Sequence, residues 1–117
     1  MSPSATLSFS ELVKAMKKLP FDEIRKEQEG YFEIVVVVTD LPLVYPLLEG
    51  FYGSQFKPPG VAASSKAKKV AQNYGGIQTQ QTLYYVNRND VSDCAMIWPW
   101  NDNKHATIKM ARGRAGE

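Results

Sequence analysis

Apolar residues recur along the chain at two different periods, and the change between them separates helices from strands. Phe9, Leu12, Val13, Met16 and Leu19 fall at helical spacing, leaving Lys14, Lys17 and Lys18 to solvent and the last turn. Ser8 and Glu11 stand ahead of this stripe at capping-box spacing, Leu7 and Leu12 occupy the positions of a hydrophobic staple, and Pro20 ends the helix. Residues 21–29 predict a second, highly charged helix whose apolar face is little more than Phe21 and Ile24, stopped by Gly30.

The run 31–39 (YFEIVVVVT) is rich in β-branched residues and loses polar alternation after Glu33, which predicts a strand covered on both faces, inside a sheet. Asp40 stands at an N-cap position before a helix over 41–49. Pro42 is tolerated in its first turn, and Pro46 is expected to kink or shorten it. The FKPPG segment makes 54–63 a loop. Ser64 or Ser65 then caps a helix to Tyr74, with Ala67, Val70, Ala71 and Tyr74 on one face and Gly75 and Gly76 as its stop.

Three strand-like runs follow, 81–88, 93–100 and 104–112, separated by turn formers, and they predict an antiparallel meander. The order α-α-β-α-α-β-β-β implies an α+β class: a four-stranded, largely antiparallel sheet with helices packed on it. At 117 residues, a single domain spanning 1–117 is expected, with 1–6 and 113–117 as flexible ends.

Composition narrows the chemistry. Hydrophobic residues at 44% and charged residues at 22% are ordinary globular usage, so a packed core is expected. Cys94 is the sole cysteine and His105 the sole histidine, which removes disulfides and Cys-rich zinc sites; no metal and no cofactor is expected. The opening residues lack a signal-peptide pattern and the longest apolar run, 34–38, is far too short to span a bilayer, so a cytoplasmic location without membrane attachment is the default. Residues 1–60 carry six Lys/Arg against eight Asp/Glu, and 61–117 carry eight against four, which directs a search for anionic partners to the second half.

Two surfaces emerge as candidates. The first is the basic start of the helix after FKPPG: Lys57, Ser64, Ser65, Lys66, Lys68 and Lys69. Lysines at a helix N-terminus run against its dipole, and a bound anion would make them favourable; exposed side chains screened by salt are the plain alternative. The second is an aromatic sheet face built from Tyr84, Met96, Trp98 and Trp100, with Tyr85 beside it. Trp98 and Trp100 share a face with Cys94 and Met96, while Ala95, Ile97 and Pro99 lie opposite. Either helices cover both sides, or one side meets a protein partner or a second copy, with Pro99 favouring an edge or strand end.

Nucleic acid is the weaker reading: Lys104, Lys109, Arg112 and Arg114 flank the tyrosine-bearing sheet, but the RNP1 pattern does not occur. Catalysis has the least support. Asp40, Cys94 and His105 are its only candidates, with Cys94 and His105 on neighbouring strands and able to approach. The expected function is therefore a small non-catalytic protein-binding or adaptor domain, with anion binding at 57–69 as the alternative.

Overall fold

The computed structural model describes residues 8–88 and 91–114. Helix α1 (Phe9–Lys17) leads into strands β1 (Glu23–Gln28) and β2 (Tyr31–Val37). Helices α2 (Leu41–Tyr52) and α3 (Ser65–Ala71) follow, and strands β3 (Thr82–Arg88), β4 (Val91–Pro99) and β5 (His105–Arg114) complete the chain. All five strands join one antiparallel sheet in the order β1-β2-β5-β4-β3. The class is α+β as the periodicity implies, but the sheet has five strands rather than four.

The fifth strand is β1, where the sequence predicts a helix. Glu, Arg, Lys and Gln favour helices, and all six residues of β1 are exposed, so no alternation marks the strand. Gly30 is used as expected in conformation but not in purpose: its φ of +77° closes the turn between Gln28 and Tyr31 instead of ending a helix. Its carbonyl then accepts the Arg112 N–H at 2.9 Å, so the turn is also tied to β5.

Ser8 and Glu11 make the full capping box on α1; Leu7, the other half of the expected staple, lies outside the described residues. Helix α2 runs through Pro46 and on to Tyr52, beyond the expected stop. Pro42, whose carbonyl loses its helical donor at Pro46, is exposed and can be served by water. Asp40 holds the N-cap position of α2 but makes no capping bond through its side chain.

Each sheet face has its own core. Phe32, Ile34, Val36, Tyr84, Ala95, Ile97, Ala106, Ile108 and Met110 pack against Phe9, Leu12 and Met16 of α1 and Val44, Leu48, Phe51 and Tyr52 of α2. On the reverse face, Leu83, Cys94, Met96 and Ala111 meet Ala67 and Ala71 of α3, with Tyr31, Val70, Tyr74, Tyr85 and Trp98 at the margin. The last strand is therefore covered on both sides, and Thr107 is buried with it. Gly113 and Arg114, expected to fray, extend β5 opposite Ser92 and Val91. Residues 1–6 and 115–117 lie outside the described residues. No described helix is long and apolar enough to cross a membrane.

Candidate functional site

The aromatic candidates divide between the two cores. Tyr84 is sealed under α2, with Gln55 and Glu49 at its hydroxyl, and Met96 is sealed under α3 on the opposite face. Neither is available to a partner in the folded chain. Trp98 and Trp100 are half-buried, and each is covered by a cation: the Lys109 ammonium lies 3.5 Å from the Trp98 ring centroid and the Arg25 guanidinium 5.4 Å from that of Trp100. The Trp98 Nε1 is enclosed and meets no acceptor among the described residues. Pro99 ends β4, so the expected strand-end position holds, while β4 itself lies inside the sheet.

The basic candidates also separate. Lys57 is only 3% exposed, and its ammonium donates to the carbonyls of Pro58, Thr79 and Gln81 at 3.1, 2.9 and 2.5 Å. Burial draws its pKa below the ordinary lysine value. Its three donors are thus engaged in tying the FKPPG loop to the turn before β3. Ser64 caps α3 by accepting the Ala67 N–H at 3.1 Å, and Lys66 lies 5.5 Å from the Tyr85 ring centroid. Ser65, Lys68 and Lys69 are exposed. Lys57 is thus held inside the loop, apart from the exposed Ser65, Lys68 and Lys69 of α3.

The residues named for chemistry are kept apart. Cys94 stands opposite Ala111 and His105 opposite Val37, which puts them at opposite ends of β5. Burial pushes the Cys94 thiol up to about 12, so a thiolate is strongly disfavoured. The basic residues considered for nucleic acid lie on different faces: Lys109 covers Trp98, whereas Arg112 forms a two-bond pair with buried Asp93 beside Phe9. Among the described residues, no group of three or more His, Cys, Asp and Glu side chains could hold a metal ion.

What the structure does bring together lies along β1. The His105 ring is held from two sides, Nε2 at 2.9 Å from Asp22 Oδ2 and Nδ1 at 2.5 Å from Asp102 Oδ2. The Asp102 hydrogen bond raises the His105 pKa, and the same bond lowers that of Asp102 to about 2. A ring that donates from both nitrogens is an imidazolium and has no free nitrogen to take a proton, so this arrangement is a fastening rather than a base. It is reinforced on one side by Trp100, whose ring lies 4.9 Å from that of His105 at a tilt of 39°, with its Nε1 donating to Thr107 Oγ1 at 2.8 Å.

These contacts fix the inner side of β1 at several points. Asp22 joins the His105 fastening and donates its N–H to Val35 at 2.8 Å, while Arg25 covers Trp100. Glu27 pairs with Lys17 of α1 at 2.5 Å across a groove of about 380 Å³ that also has Phe9, Val13 and Tyr31 in its walls. Beyond β2, no described element pairs with β1, and its outer edge is bare. Ile24 on this strand and Phe21 just before it are large apolar side chains left exposed, at 36% and 40%. Sequence reasoning missed this region because a helix-forming composition hid the strand. Asp102, three residues before His105 within a turn, was the one local signal of the fastening. No family model, curated protein or solved structure matches the chain.

Proposed function

We propose that this chain is a small non-catalytic protein-binding domain that receives an extended partner segment along the outer edge of β1. The observation that carries the reading is the contrast across that one strand: it is fastened to the rest of the fold by Arg25–Trp100, Glu27–Lys17 and, just before it, Asp22–His105, while its outer edge pairs with no described strand and Ile24 and the preceding Phe21 are exposed. An exposed edge offers a row of backbone donors and acceptors to an added strand, and the flanking side chains select among candidates. Charge and a bulge between Ile24 and Lys26 discourage indiscriminate pairing, which is what a selective edge requires.

Proline substitutions at Glu23, Ile24 and Arg25 test this. The position whose N–H points outward tolerates proline without loss of thermal stability but can no longer donate to an added strand. Extract from cells that make the protein is passed over immobilised wild type and over the stable proline variant. Bound proteins lost only on the variant are the expected result; an identical bound set on both would remove the reading.

A further inference from the structure

The His105 ring joins two segments that are far apart in the chain: Asp22, at the entrance to β1, and Asp102, in the turn between β4 and β5. The two carboxylates are held unequally. Asp102 Oδ1 accepts the backbone N–H groups of Lys104 and His105 at 2.8 and 3.0 Å, which fixes Oδ2 in front of Nδ1. Among the described residues, the Asp22 carboxylate has His105 as its one partner, and its side chain is 49% exposed.

We propose that His105 is a proton-operated latch: it gives up its Nε2 proton while keeping Nδ1–H, and that loss releases Asp22 and with it the leading end of β1. The latch does not depend on the binding reading, since it governs how firmly the edge is presented rather than what meets it.

A neutral imidazole keeps one N–H and turns its other nitrogen into an acceptor. A proton retained at Nε2 would aim the Nδ1 lone pair at a carboxylate that two backbone bonds prevent from turning away. A proton retained at Nδ1 keeps the 2.5 Å bond and leaves the conflict to Asp22, which can swing into water. The other charges around the ring are cations: Lys104 precedes it in the chain, and Arg25 lies over the Trp100 indole that covers one side of it. Both disfavour the imidazolium, but the Asp102 hydrogen bond, aided by Asp22, prevails and raises the His105 pKa. Val37, opposite His105 on β2, carries no charge.

Release is local because of the bulge between Ile24 and Lys26. Ahead of it, Glu23 and Ile24 pair with Val35 and Ile34 of β2, and the Asp22 N–H adds one bond to Val35. From the bulge onward, Arg25–Trp100, Glu27–Lys17 and the Gly30–Arg112 bond hold the hairpin without His105. All six residues of β1 are exposed, so little buried apolar area opposes opening of the short leading piece. Below the His105 midpoint the latch is closed, and it opens as pH rises through that midpoint.

Imidazole nitrogen shifts and amide exchange of the full chain test this, and His105, the sole histidine, supplies the one imidazole signal. Above its midpoint the ring is expected to be the Nδ1–H tautomer, the reverse of the usual preference of a free histidine side chain. Protection of the Asp22 amide, corrected for intrinsic exchange, should fall about threefold across the titration. Exchange there should be nearly insensitive to dilute urea, the mark of a local opening. In Asp22→Asn the fall should vanish. In Asp102→Asn, Nδ1 can accept from the new amide while Nε2–H stays on Asp22, so the tautomer should switch and the fall should vanish with it. A merely structural ion pair would not couple the tautomer to exchange at position 22. An Nε2–H tautomer in the wild type, constant protection of the Asp22 amide, or a fall that persists in Asp22→Asn would overturn the latch. Should a variant fold poorly, as its melting temperature shows, the wild-type tautomer and exchange decide the matter.

Discussion

Gly75 faces Trp98 so closely that a Cβ on it would lie 2.5 Å from the indole Cη2 and 3.1 Å from Cζ2. Gly76, next in the chain, has open space in that direction, and both residues have positive φ, +101° and +82°. Alanine at Gly76 should therefore cost only the backbone term, about 1 kcal/mol. Alanine at Gly75 adds overpacking against a rigid ring and should cost about 3 kcal/mol in urea unfolding, with a change in tryptophan emission. Equal losses at the two positions would show that the indole is not seated on Gly75.

Lys57 is a structural lysine. Replacing it with Met keeps the stem but leaves three carbonyls without their shared donor, and a loss of about 2 kcal/mol is expected. Lys68→Met, at an exposed position of α3, should change stability by less than about 0.5 kcal/mol. Chemical denaturation of the pair decides it, and a neutral Lys57→Met would mean that the loop is held by other bonds.

The His105 fastening makes stability depend on pH in a defined direction. Its folded pKa is raised above the ordinary 6.5, chiefly by Asp102, so its contribution is complete below the unfolded pKa and fades as pH rises through the folded one. Asp102, held near 2, acts oppositely: its contribution is present above the ordinary 3.8 and fades as pH falls toward 2. The His105 ring proton signals should titrate with a midpoint above 6.5 that moves down in Asp102→Asn. A midpoint at or below 6.5 in the wild type would refute the two-carboxylate arrangement.

Asp93 and Arg112 form a lopsided pair, with the carboxylate side chain 2% exposed and the guanidinium 43% exposed. Removing the base strands a buried carboxylate, whereas removing the acid leaves a cation that can turn toward water. Arg112→Met should therefore cost about 3 kcal/mol and Asp93→Asn about 1 kcal/mol. Thermal unfolding of both variants checks the asymmetry, which a larger loss for Asp93→Asn would contradict.

Much of the architecture was legible in the sequence wherever a side-chain period reported a buried face. The α1 stripe carried such a period, the β2 run reported burial by its unbroken β-branched residues, and the β3–β5 meander showed as strand-like runs between turn formers. Strand β1 buries neither face, so its helix-forming composition was the only signal and it pointed the wrong way. The face shared by Cys94, Met96 and Trp98 was deduced correctly, while Trp100 lies beyond the end of β4. That α3 and two cations would cover it was not legible, because Lys109 and Arg25 come from separate strands. Lys57 gave no sign of burial either, since its carbonyl partners Thr79 and Gln81 are backbone groups more than twenty residues away.

The adjacency of β2 and β5 has a kinetic consequence. The seam pairs Tyr31 with Ala111 and Val37 with His105, so the early hairpin and the late meander are each local while their junction spans most of the chain. Loop closure over that separation must precede any reward from the seam, which places folding among the slower small domains, roughly milliseconds to seconds. During synthesis the β1–β2 ribbon must wait, with Ile34 and Val36 lacking their β5 neighbours, until the last strand has been made.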